Sequence, residues 1–82
     1  MSTITTDRIQ ARVFEALEEF GADPETIALD AGFEQLDVDS LDLVELAQIV
    51  REDFGVEISG EDMPKLKTVG DVVTLVAGRA GV

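Results

Sequence analysis

Apolar side chains return every three or four residues in three separate stretches of this 82-residue chain, a period that commits it to helices packed on one another. Ile9, Val13, Ala16, Leu17 and Phe20 form the first stripe, with Arg8, Arg12, Glu15, Glu18 and Glu19 on the opposite face. Leu43, Leu46, Ala47, Val50 and Phe54 form the second, and Val69, Val72, Val73 and Val76, running on to Ala80, form the third. A chain of this size buries roughly 60–65 % of its surface and supports one core, so residues 1–82 are expected to make a single domain. Val56-Glu57-Ile58 is too brief to argue for a sheet. The expected fold class is therefore all-α: a four-helix bundle with three main helices, one short helix and a long first loop.

Local signals set the boundaries. Thr6 or Asp7 can cap the first helix, and Gly21 is placed to end it in the left-handed conformation. From Ala22 to Asp39 the period fades, leaving room for one helical turn between Pro24 and Leu29. A loop this long needs anchors, and Ile27, Leu29, Phe33 and Leu36 are expected in the core. The second helix should run from Ser40 to Phe54, with Asp39 as N-cap, Asp42 close to capping-box spacing and Gly55 as its stop. Ser59-Gly60-Glu61-Asp62 reads as the cap and acidic first turn of a short helix that Pro64 cuts off. Thr68 and Asp71 repeat the capping-box spacing before a last helix whose valines lower its intrinsic propensity, so packing must hold it.

Charge narrows the partners. Eighteen acids against six bases give a net charge of −12, which argues against nucleic acid and anionic membranes and for partners with basic patches. Between Val13 and Val50 there are eleven acids and no Lys or Arg. On the second helix Asp42, Glu45 and Glu52 make an acidic stripe. Ile49 falls inside it and Leu41 and Val44 flank it, so these three are expected as exposed apolar contacts among charges.

The chain has no Cys and no His, which removes disulfides, thiolate or imidazole metal ligands and Ser-His-Asp chemistry. The start, Met1-Ser2-Thr3-Ile4-Thr5-Thr6, has no basic and apolar leader pattern, and no stretch approaches a membrane span. A cytoplasmic monomer is expected. Asp37-Val38-Asp39 opens like a calcium loop, but Leu41 and Asp42 stand where a ligand and the turn glycine are needed.

The candidate site is Leu36-Asp37-Val38-Asp39-Ser40-Leu41-Asp42-Leu43-Val44-Glu45-Leu46, which sets one serine in the first turn of an acidic amphipathic helix. Asp39-Ser40 alone is an ordinary helix start. The whole constellation is not ordinary: Asp39-Ser40-Leu41 heads the acidic helix, another amphipathic helix precedes it, and Lys65-Leu66-Lys67-Thr68-Val69 leads into the last one. From Ile9 to Val76 this pattern resembles the acyl carrier proteins.

The resemblance implies a non-catalytic carrier with that family's helical bundle. Ser40 would receive 4'-phosphopantetheine from coenzyme A, next to Asp39, and the thiol of that arm would hold acyl groups as thioesters. It also implies that Asp39, Asp42, Glu45 and Glu52 face basic patches of partner enzymes, with Leu41 and Val44 as apolar contacts. Those partners would be a phosphopantetheinyl transferase and acyl-loading and condensing enzymes of fatty-acid or polyketide biosynthesis. In the family an acyl chain can tuck between the helices. Asp37 stands where many bacterial fatty-acid carriers have Gly, Arg51 where an acid is common, and Gln48 where an apolar residue is common. Two other readings stay open: an aminoacyl or peptidyl carrier of a nonribosomal pathway, and an unmodified acidic docking module.

Overall fold

The computed structural model describes residues 4–82; the polar start at Met1–Thr3 lies outside them. Its elements are α1 (Thr6–Glu19), α2 (Ser40–Phe54), a single 3-10 turn (Met63–Lys65) and α3 (Val69–Ala80), with no named strand among the described residues. α1 packs against both α2 and α3. The expected short helix is thus only a three-residue turn, with Pro64 inside it, because proline's missing N–H and locked φ suit a first turn and obstruct a longer one.

The cap of α1 lies one residue earlier than expected. Thr5, not Thr6 or Asp7, is extended and accepts from Arg8 N–H at 3.1 Å through Oγ1, which leaves Thr6 free to take helical angles. At the other end Gly21 adopts φ +103°. Its N–H donates to Glu18 O and that of Ala22 to Leu17 O, both at 3.0 Å, the closure that a left-handed residue permits. Ile9, Val13, Ala16 and Leu17 are fully buried, while Phe20, beyond the last turn, is half-buried.

In α2 the innermost residues are Leu46 and Val50, flanked by half-buried Leu43, Ala47 and Phe54. Ile49 departs from its expected exposure: it packs half-buried against the core. Arg12 reaches from α1 to Asp53 of α2 at 2.6 Å, tying the two helices with a partly exposed pair of modest worth, and also meets Glu15 of its own helix at 3.3 Å. α3 buries Val69, Val72, Val73, Val76 and Ala77, so five of its twelve positions compensate for the weak propensity of β-branched residues.

The long loop between α1 and α2 is held by backbone as much as by side chains. Ile27, Phe33 and Leu36 are buried as expected, joined by Ala22, Ala31 and Val38. Leu29 is 43 % exposed, because the loop is fixed there by its carbonyl, which accepts from Gly70 N–H at 2.7 Å. Two further bonds, Val69 N–H to Ala31 O at 3.1 Å and Phe33 N–H to Lys67 O at 3.0 Å, complete an antiparallel strip. The strip satisfies two N–H groups that the start of α3 would otherwise leave unpaired. No helical turn forms between Pro24 and Leu29. Asp23 instead closes a tight turn, its Oδ1 accepting from Glu25 N–H at 3.0 Å and its carbonyl from Thr26 N–H at 2.9 Å.

The third orphan N–H of α3 belongs to Asp71 and donates to Thr68 Oγ1 at 3.2 Å. Asp71 Oδ2 in return accepts from Lys67 N–H and Thr68 N–H, both at 3.0 Å. These donors, Lys67 first and then Thr68, hold the Asp71 carboxyl below the usual carboxylate range.

Two outcomes follow for stability. A Cβ on Gly70 would sit 2.8 Å from Leu29 O, whereas one on Gly78 meets nothing within 4 Å. Denaturant unfolding should show Gly70→Ala losing roughly 1–3 kcal/mol through overpacking, and Gly78→Ala gaining roughly 0.5–1 kcal/mol through helix propensity. Because the folded-state pKa of Asp71 is depressed, its contribution is full above the unfolded-state value near pH ~4 and is lost as pH falls through the lower folded-state value. The stability gap between wild type and Asp71→Asn, followed by thermal unfolding across pH, should be constant at neutral pH and narrow below pH ~4.

Candidate functional site

The approach to α2 is shaped by a left-handed residue. Residues 33–37 wind into turns, closed by Asp37 N–H to Glu34 O at 3.3 Å and Val38 N–H to Phe33 O at 2.9 Å. Asp37 at their end has φ +57°, alone among the non-glycine residues described. This is the closure a helix end uses, with the left-handed position that glycine fills most easily and that Asp tolerates better than most side chains. It sends Val38 back into the core and leaves Asp39 and Ser40 exposed.

Asp39 then caps α2. Its Oδ1 accepts from Asp42 N–H at 3.0 Å, and Asp42 Oδ2 accepts from Asp39 N–H at 3.4 Å, completing the capping box. Ser40 is the first helical residue. Neither its N–H nor that of Leu41 finds a partner among the described residues, so two donors and the positive end of the helix lie beside the Ser40 hydroxyl.

Next to Ser40 opens a groove of about 570 Å³, its apolar side formed by Phe33, Val38, Leu43 and Leu66, with Lys67 also lining it. Lys67 is a neighbour that sequence distance hid; the loop-to-α3 strip brings it there, since its carbonyl is one of the strip's acceptors. An exposed hydroxyl, free N–H donors suited to a phosphodiester and an open, partly apolar groove fit a phosphopantetheine group. With no His in the chain, Ser40 has no imidazole base to activate it, so the arrangement suits a residue that is modified by another protein rather than one that attacks a substrate.

The expected partner residues divide into two groups. Leu41 is 76 % exposed and Val44 47 %; Glu45 and Glu52 are exposed as well. At about 100° per residue, Leu41, Glu45, Gln48 and Glu52 share one stripe, with Val44 at its edge. Asp42 lies to the side, half-buried, with its carboxylate committed to the cap. Adjoining this stripe, and sharing Val44 and Gln48 with it, a second cleft of about 400 Å³ runs between Val44, Ala47 and Arg51 and the facing Ile58, Gly60 and Met63. Arg51 and Glu57, which both line it, approach to 3.9 Å.

Residues 11–76 match the family described as the phosphopantetheine attachment site. The meromycolate extension acyl carrier protein of Mycobacterium leprae is 41 % identical over 75 residues, which cover 89 % of this chain and 65 % of that protein. The acyl carrier protein of Chlamydia trachomatis serovar D is 42 % identical over 64 residues, covering 77 % of this chain and 83 % of its own length. The same protein name in serovar A shows the same figures. The chain therefore spans just under two thirds of the mycobacterial relative.

Proposed function

The chain belongs to the acyl carrier protein family, and from that membership we propose that Ser40 bears the phosphopantetheine arm and that the protein carries growing fatty acyl chains between biosynthetic enzymes. It is a carrier and not an enzyme, and phosphopantetheine is its prosthetic group. The observation that carries the choice of Ser40 is its position: an exposed hydroxyl at the first residue of a capped acidic helix, within the matched residues 11–76. When bound, the arm supplies a thiol that holds an acyl group as a thioester.

Each neighbour has a task in this reading. Asp39 and Asp42 fix the start of α2 and so the direction in which Ser40 is presented. Ser40 gives up its proton to a base on the transferase, since the chain has no His to take it. Leu41 and Val44, exposed among Glu45 and Glu52, supply apolar contact inside a field that draws basic partner surfaces. The cleft beside α2 offers the acyl chain apolar contact at Val44, Ala47, Ile58 and Met63.

Fatty acyl cargo is favoured over the aminoacyl alternative by that apolar cleft and by the names of the relatives, one an acyl carrier of meromycolate extension. Residues 1–82 are read as one carrier unit that works as a monomer. Among the described residues no helix is long and apolar enough to cross a membrane, and we place the carrier in the cytoplasm beside a phosphopantetheinyl transferase, acyl-loading enzymes and condensing enzymes.

Intact mass with fragmentation, after incubation with coenzyme A and a broad-specificity phosphopantetheinyl transferase, should show one phosphopantetheinyl group on Ser40 and none on Ser40→Ala. A folded, previously unmodified chain that gains nothing would overturn the carrier reading in favour of a docking module. Glu45→Lys and Glu52→Lys should slow the transferase reaction roughly threefold to tenfold at low ionic strength and flatten its salt dependence. Unchanged kinetics across salt in both variants would remove the steering role from these two residues.

A further inference from the structure

Asp62 is the one buried charged residue among those described, at 7 % exposure, and the function proposed above makes no use of it. Its carboxylate meets four donors. Oδ2 accepts from Ser59 N–H at 2.9 Å, from Ser59 Oγ at 3.0 Å and from Arg79 Nη1 at 2.7 Å, and Oδ1 accepts from Arg79 Nη2 at 2.9 Å. Arg79 Nη1 also donates to Glu57 O at 2.8 Å. A bidentate guanidinium in the last turn of α3 therefore grips the segment Glu57–Asp62 at two points. The pair and the Ser59 donors hold the Asp62 carboxyl well below the usual carboxylate range, Arg79 contributing most, so the clamp stays charged at neutral pH.

The same segment forms one wall of the cleft beside α2: Glu57, Ile58, Ser59 and Gly60 face Val44, Ala47, Gln48 and Arg51. Across that cleft the ion pair among the described residues is Arg51–Glu57, at 3.9 Å with both side chains largely exposed. Fastening is thus lopsided. The wall is bound to α3 by short, charge-assisted hydrogen bonds and to α2 by a long pair that water and salt weaken. The weaker fastening is thus on the α2 side, where the chain leaves the helix through the left-handed Gly55, φ +70°.

We propose that Arg79 and Asp62 are positioning residues for the carried acyl chain: by clamping Glu57–Asp62 to α3 they keep the outer wall of the cleft in place, so that an acyl chain lying along α2 is covered from both sides. The inference rests on the carrier reading of Ser40. A wall released from α3 leaves the inserted chain with partner atoms on one side only, and the contacts on the other side are lost outright. Short acyl groups, which do not reach the cleft, are indifferent to the clamp. The chemistry recognised is a flexible hydrocarbon chain, since the cleft is apolar at Val44, Ala47, Ile58 and Met63.

The test loads the full chain at Ser40 with acetyl or octanoyl groups, using the corresponding coenzyme A thioesters and a broad-specificity transferase. Cleavage of each thioester by hydroxylamine is then followed by intact mass, well below the unfolding temperature. In the wild type the octanoyl form should react more slowly than the acetyl form. In Arg79→Gln and Asp62→Asn that protection should fall roughly threefold or more, and Arg79→Lys, which keeps charge and one donor, should restore part of it. Ser59→Ala, which removes a hydroxyl donor and leaves the ion pair, gives a milder loss in the same direction and serves where a clamp variant does not fold. A clamp that only stabilises the fold would lower the unfolding temperature of apo and acylated forms alike and leave the octanoyl-to-acetyl ratio at its wild-type value; that result overturns the inference. Wild-type chain that accepts no group at Ser40 would overturn the carrier reading instead, and the inference with it.

Discussion

Three backbone hydrogen bonds between Leu29, Ala31 and Phe33 of the long loop and Lys67, Val69 and Gly70 are what the arrangement of the site depends on. Two of them pair N–H groups that any helix start leaves unpaired, those of Val69 and Gly70, with loop carbonyls, and the third gives the loop's Phe33 N–H the Lys67 carbonyl, so each element resolves the other's deficit. The close approach admits no side chain at position 70, where a Cβ would meet Leu29 O at 2.8 Å. Once the loop is fixed to α3, Phe33, Leu36 and Val38 fall into the core, and Lys67 comes to the groove beside Ser40.

From that anchor the chain turns into α2 through a left-handed residue and a reciprocal cap. Asp37 at φ +57° reverses the direction of the chain, and the Asp39–Asp42 box sets where the helix begins. Ser40 is presented because the residues on either side of it are held: Val38 by burial, Asp42 by its hydrogen bond to the Asp39 N–H. The carboxylates that cap the helix also belong to its acidic surface, so local stability and the attraction of basic partners draw on some of the same groups.

The two flanks of α2 differ in kind. One carries exposed Leu41, Glu45 and Glu52, suited to a partner that comes and goes. The adjoining one borders a cleft, apolar at Val44, Ala47, Ile58 and Met63, whose far side is fastened to α3 through Asp62 and Arg79. A carrier that both offers and shields its cargo would meet those demands on adjoining surfaces of one helix, with Val44 and Gln48 common to the two.

Much of this was legible in the sequence. The 3.6-residue period placed all three helices, and the caps at Asp39 and Thr68 followed from side chains that reach only their own next turn. Ser40, with the acidic residues around it, was equally readable, because a helix start and its stripe are local features. What was misjudged is what a single element does not decide. Thr5 rather than Thr6 caps α1, and Ile49 is drawn toward the core from an acidic stripe. Leu29 stays out because its carbonyl is the group in demand, and Asp62, which looked like one more helix-start acid, is buried against an arginine 17 residues away. By itself the sequence determined the three helices, the caps at Asp39 and Thr68 and the place of Ser40 at the start of α2, since those rest on interactions spanning a turn or less. Tertiary structure alone decided the loop's docking, the neighbours of Ser40 and the fastening of the cleft wall, because each joins groups far apart in the chain whose meeting depends on the whole core being packed.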